Sequence, residues 1–294
     1  MRDRLPRLSG ALRGALCSLA AFTLYALSDI TIKFLGADYS PVQIVFFSAL
    51  AALPLIAALL FTERGPRSLW PVMPKLTAIR MAILVVNGLF VSYAFATLPL
   101  SQAYAIFFLM PLFICVLAVP LLGEPIDFAR GLAVLAGLVG VAVVLRPGVM
   151  ELNLAHLSAL IGASLGAIYY IIIRRTGGVE RMSIILLYPT LAQVVAMGLV
   201  LPFVYRPMSL AHLGLTGLMA VEGFVGSLCI VWAYRHAPAV VAAPMQYVQI
   251  IIATLFGTLY FGEQVDAPTV LGIGITIAAG LFILTRREPA QIMA

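Results

Sequence analysis

Ten apolar runs, most of them close to 20 residues long and separated by short breaks, constrain this chain more than any other feature. They cover 12–33, 41–61, 78–97, 101–122, 128–146, 155–174, 182–203, 211–234, 239–261 and 268–285. A helix needs about 20 residues to cross a hydrocarbon core of roughly 30 Å. Barrel strands would be shorter and would alternate polar with apolar residues, so each run is expected to be a membrane-spanning helix. The composition agrees: 10% of the 294 residues are charged and 63% are hydrophobic, against about 25% charged in a soluble domain. The expected fold class is an all-α integral membrane protein with ten transmembrane helices, its solvent being the lipid bilayer.

The breaks exclude several function classes. The longest, "TERGPRSLWPVMPKLT" from Thr62 to Thr77, is too short to hold a domain. No GxxxxGK[ST] motif occurs, so no nucleotide-hydrolysing motor is expected. His156, His212 and His236 are scattered at span edges, whereas a membrane-embedded enzyme would need clustered His, Asp, Glu or Cys. No catalytic residue, metal or other cofactor is expected. Cys17, Cys115 and Cys229 fall inside spans and suggest no disulfide framework. The start, "MRDRLPRLSGALRG", imitates a signal peptide. Its apolar run has a counterpart later in the chain and is read as the first helix of the fold.

Charge sets the expected orientation. Fifteen of the 18 basic residues fall on one side of the threaded chain, and only Lys33, Arg146 and Arg206 on the other. Basic residues concentrate on the cytoplasmic side, so both termini are expected there. The net charge of +6 is thereby read as topology, with no nucleic-acid partner.

A phrase recurs. "PLLGEPID" ends at Asp127 and "LYFGEQVD" at Asp266, an offset of 139. At that offset "YAFATLP" (Tyr93–Pro99) meets "WAYRHAP" (Trp232–Pro238); upstream, at 141, "ALSDITIKF" (Ala26–Phe34) meets "AIYYIIIRR" (Ala167–Arg175). The chain therefore reads as two five-helix units, 1–150 and 151–294. Five is odd, so the second unit enters the membrane from the opposite face, as in many alternating-access transporters. Locally, Gly123 and Gly262 would end helices, Glu124 and Glu263 would stay in the wet interface, and Asp127 and Asp266 would cap the next helix.

Ten spans in two inverted repeats, with Gly-Glu closing spans 4 and 9, resemble the drug/metabolite transporter superfamily with two EamA-type repeats, and within it the YddG-type amino-acid exporters. The resemblance implies a basket of helices around a central cavity with spans 5 and 10 at the periphery. It also implies export of amino acids (aromatic, or others such as Met or Thr) across a bacterial inner membrane. A drug or nucleotide-metabolite exporter of the same fold is the alternative.

Polar residues within spans are the candidates for the site. Glu222 lies near mid-membrane with Leu218, Met219, Val225 and Gly226 as helical neighbours, none able to pair with it. It is read as a substrate or proton-coupling group, or else as a hydrogen-bonding link to another helix. Asp29 precedes Lys33 by one turn, so a local ion pair is the first reading and a coupling role the second. Gln246 and Gln249 share a face of span 9; their repeat counterparts are Phe107 and Met110. With Asn87, Tyr25, Tyr104, Tyr169 and Tyr170 they would line a cavity suited to an amphiphile bearing an amine, a carboxylate and an apolar side chain; interhelical bonding is the competing reading. Pro111 and Pro244 would kink spans 4 and 9. Gly131, Gly137, Gly140, Gly272, Gly274 and Gly280 would allow close helix contact, within a monomer or across a weak homodimer.

Overall fold

The computed structural model describes residues 10–63, 68–123, 128–146, 153–264 and 266–285. Its regular structure is helical throughout: α1 (Gly10–Leu35), α2 (Pro41–Thr62), α3 (Pro74–Thr97), α4 (Leu100–Phe107), α5 (Leu109–Leu122), α6 (Phe128–Leu145), α7 (Leu154–Thr176), α8 (Met182–Val200), α9 (Leu210–His236), α10 (Ala239–Ala242), α11 (Val248–Phe261) and α12 (Ala267–Thr285). Seven stretches are long and apolar enough to cross a membrane, and 131–144, 245–261 and 267–279 are shorter apolar helices. The protein is thus a multi-pass membrane protein. Starts are marked by caps. Ser40 accepts from the Gln43 N–H ahead of α2, Asn153 forms a capping box with His156 ahead of α7, and Ser209 accepts from the His212 N–H ahead of α9.

Span 4 is broken at Phe108 into α4 and α5, and span 9 passes through a 3-10 segment, Ala243–Tyr247, between α10 and α11. Pro111 has no N–H to offer the Phe107 carbonyl, which places the first break. Pro244 lies in the 3-10 segment itself.

Gly123 and Gly262 end α5 and α11 with φ of 71° and 62°, a conformation only glycine adopts without strain. Glu124 and Asp127 lie outside the described residues. Glu263 corrects the expectation of a wet carboxylate: its side chain is 12% exposed and pairs with Lys33 at 2.6 Å. It also accepts the Leu100 N–H at 2.9 and 3.0 Å, so it caps α4 in the other half of the chain. Asp266 accepts the Thr269 N–H at 3.1 Å and caps α12. The bonds from Thr269, joined by Arg146, hold its carboxyl below the ordinary range.

Packing joins the halves. α1 lies on α9 and α3 on α7; α2 meets α8 and α6 meets α12. Exchanging each helix for its sequence counterpart converts the first contact into the second and leaves the other two unchanged. Gly140 and Gly272 form the α6–α12 crossing, where a Cβ on Gly140 would stand 2.7 Å from the Gly272 carbonyl oxygen. Gly131 and Gly274 meet nothing within 4 Å and are not part of it.

The two ends of the bundle are tied differently. At the end carrying Lys33, Gln43 and the Arg206 backbone exchange two hydrogen bonds, 2.6 and 2.8 Å. Tyr39 Oη meets His212 Nδ1 at 2.8 Å. At the opposite end Glu63 pairs with Arg181 at 3.1 Å and accepts from Ser183. Glu180 accepts the Met73 N–H at 2.6 Å.

Candidate functional site

A cavity of about 350 Å³ opens between the halves, within the range of small-molecule sites. It is walled by α1, α2, α3, α4, α7, α8 and α9, by Met110 of α5, and by the two glutamines of span 9. Glycines let large side chains reach it. A Cβ on Gly226 would strike the Tyr25 ring at 2.7 Å. One on Gly162 would touch Phe107 at 3.0 Å, and one on Gly166 would meet Met110 Sδ at 2.7 Å. The aromatic wall is continuous: Phe95 lies 4.9 Å from Tyr104 and 5.0 Å from Phe107, centroid to centroid. Phe22 packs edge-on to Tyr25 and Tyr170 at 6.1 and 6.0 Å.

Asp29 is the one charged side chain among the described residues lining the cavity. Tyr104 donates its hydroxyl to Asp29 Oδ2 at 2.7 Å, and Gln249 Nε2 approaches the same oxygen at 3.4 Å. This corrects the local ion pair expected with Lys33. Lys33 lies one turn further along and is engaged by Glu263 and by the Leu98 carbonyl at 3.0 Å, while the carboxylate of Asp29 faces inward. Asn87 and Gln246 also line the cavity, and Asn87 Oδ1 and Gln246 Oε1 are buried without a partner. Tyr25 meets Ser227 Oγ at 3.2 Å, and Tyr169 completes the wall. Asp29 therefore offers a carboxylate acceptor to the cavity, which suits a donor-rich head such as an ammonium group.

Glu222 stands outside the cavity wall but within electrostatic range of Asp29. It is 8% exposed and its Oε2 has no partner. Its neighbours Leu218, Val221 and Val225 are exposed. Gln193 and Thr190 on α8 line the cavity as well. Sequence reasoning passed over them, although a glutamine inside a span is the same signal that selected Gln246. Arg80, near the start of the third apolar run, is 1% exposed and lies inside the bundle.

Helices that cross a membrane around an amphiphilic cavity between two halves define a small-molecule carrier. The chain belongs to the EamA-like transporter family, whose model matches it twice, over residues 12–146 and 153–285. It is similar to the S-adenosylmethionine uptake transporter of Rickettsia prowazekii, 26% identical over 281 residues covering 93% of this chain and 92% of that protein. It is also similar to the Pseudopaline exporter CntI of Pseudomonas aeruginosa, 25% identical over 282 residues covering 93% and 95%. A solved crystal structure shares the fold, with a TM-score of 0.67, 16% identity, and coverage of 92% and 95%. These similarities point to a transporter of small metabolites rather than an enzyme. They do not single out the YddG-type amino-acid exporters.

Proposed function

We propose that the protein is a secondary carrier, working by alternating access between two inverted repeats, for small metabolites that carry an amino group and an apolar or aromatic body. It would sit in a bacterial inner membrane with both termini cytoplasmic, as the charge bias suggests. The observation that carries the reading is Asp29: a single carboxylate, positioned by Tyr104 and Gln249, in an aromatic cavity with no lysine or arginine among its described lining residues. Such a site attracts an ammonium head, and its aromatic faces favour cations further. A polyanion such as a sugar phosphate would find no counter-charge. Amino acids fit, and so does S-adenosylmethionine, which carries the same amino-acid head. The named relatives include both an uptake carrier and an exporter, so direction belongs to the individual carrier. Export is assigned here on the YddG-type resemblance.

The test is transport by purified protein in proteoliposomes, over radiolabelled amino acids, S-adenosylmethionine, nucleosides and cationic drugs. Amine-bearing substrates should be carried, and Asp29→Asn should reduce their transport at least about tenfold, the worth of one charge-assisted hydrogen bond. Unchanged transport in Asp29→Asn would sink the reading, as would a preference for polyanions.

A further inference from the structure

Arg80 has no place in the site as described, yet its position is costly. It stands in the second turn of α3 and is 1% exposed. Its Nη2 donates to the Ile185 carbonyl of α8, and its Nε is buried without a partner. Among the described residues no carboxylate pairs with it. Its guanidinium carbon lies 5.3 Å from the centroid of the Tyr169 ring, and Tyr169 is part of the cavity wall. Leu84, one turn along α3, and Leu186, next to Ile185, line the cavity too. The guanidinium therefore lies just beyond one end of the cavity, with an aromatic ring between. Thr77, one turn earlier on α3, adds a buried hydroxyl without a partner. A buried arginine is ordinarily matched by an acid or by several carbonyls. Here one carbonyl is met and at least one donor is left over.

Asp29 and Arg80 mark opposite ends of the cavity. Asp29 is one turn from Lys33, at the end tied by Glu263. Arg80 contacts Ile185, two residues from Ser183, at the end tied by Glu63.

We propose that Arg80 is a carboxylate-binding station of the transport path, uncovered when Tyr169 moves aside as the Glu63 end of the bundle opens. The inference rests on the carrier reading above and narrows its substrate. An amine alone satisfies Asp29; a substrate that also satisfies Arg80 carries a carboxylate. The planar fork of arginine is suited to that group, so the carrier takes zwitterions in preference to simple amines.

The experiment uses two pairs of probes whose members differ only by the carboxylate: phenylalanine with phenethylamine, and S-adenosylmethionine with its decarboxylated form. Transport into proteoliposomes is measured for each. In the parent protein the carboxylate-bearing member of at least one pair should have a kcat/KM about 10- to 100-fold above its partner, the range expected for a hydrogen-bonded charge. Arg80→Gln keeps a donor for the Ile185 carbonyl but loses the charge; the ratio should fall to near one while transport of the amine persists. Arg80→Lys keeps the charge and should keep part of the preference. A merely structural arginine would change the yield of folded protein or the rate for both members, and leave the ratio alone. The inference is overturned by a ratio near one in the parent for both pairs, or by an unchanged ratio in Arg80→Gln. Should Arg80→Gln fail to fold, the ratios in the parent and in Arg80→Lys still decide: an unchanged ratio in Arg80→Lys overturns it. If the parent carries neither member of either pair, the reading built on Asp29 falls and takes this inference with it. If it carries the amines without preference, only the inference about Arg80 falls.

Discussion

Replacing Glu263 by alanine is expected to destabilise the protein by about 3 kcal/mol. The carboxylate meets Lys33 at 2.6 Å, with the two side chains only 16% and 12% exposed, and takes the Leu100 N–H on both oxygens at 2.9 and 3.0 Å. Alanine removes both interactions. Leu100 has no exposed surface, so its N–H is stranded, at a cost of about 1–3 kcal/mol. Lys33 keeps only the Leu98 carbonyl at 3.0 Å and the face of Phe261 at 5.2 Å. Stranding it costs between the roughly 1 kcal/mol of an exposed pair and the roughly 3–5 kcal/mol of a fully buried one. The two losses share one carboxylate and do not add in full, which sets the total at about 3 kcal/mol. Glu263→Gln retains an acceptor for Leu100 and should lose about half as much. Adding Lys33→Met to Glu263→Gln removes the stranded charge and should recover part of the loss. The assay is reversible unfolding in detergent micelles, run as a double-mutant cycle over Lys33 and Glu263. A loss below about 0.5 kcal/mol in Glu263→Ala, the range of an indifferent surface change, would refute the argument.

Three further outcomes are expected. Gly140→Ala puts a methyl group 2.7 Å from the Gly272 carbonyl oxygen and should force α6 from α12, with a loss of about 1–3 kcal/mol in the same unfolding assay; no loss would mean that the crossing is looser than described. Glu222→Gln should transport within about twofold of the parent and Glu222→Leu should be at least as stable, since the carboxylate is buried, has an oxygen without a partner and stands outside the cavity wall; a tenfold fall in transport for Glu222→Gln would return Glu222 to the site. A single cysteine at Arg206, in a cysteine-free background, should label from the external side of intact cells; labelling only after permeabilisation would reverse the proposed orientation.

What the sequence disclosed follows from range. Span length and hydropathy are local, so the helices lie close to the apolar runs. The left-handed ends at Gly123 and Gly262 could be expected because only glycine takes that conformation cheaply. The pairing of Asp29 was misread because the i,i+4 rule describes isolated helix surfaces, and here Lys33 is claimed by Glu263, 230 positions away in the chain. Tyr104 and Gln249 come to Asp29 from 75 and 220 positions away; a list of polar residues in spans contains all three without joining them. Arg80 was hidden differently. It lies near the end of a span, where arginine ordinarily reaches solvent, and nothing within one turn marks it as buried.

At the turn that ends their fourth spans the two repeats agree: Gly123 matches Gly262, with φ of 71° and 62°. In the cavity wall the counterparts diverge. At the upstream offset Asp29 stands against Tyr170 and Ser28 against Tyr169; at the downstream offset Phe107 stands against Gln246 and Met110 against Gln249, and all eight line the cavity. Backbone requirements act alike on both copies, because the same turn must be made twice. A small metabolite has no two-fold axis, so a wall shaped to it gains nothing from matching sides. Of these eight, one copy supplies the acid, Ser28, Phe107 and Met110, and the other supplies two glutamines and two tyrosines. If these departures mark where binding specificity resides, a change that restores symmetry, such as Gln249→Met, should alter substrate selectivity while leaving the fold in place.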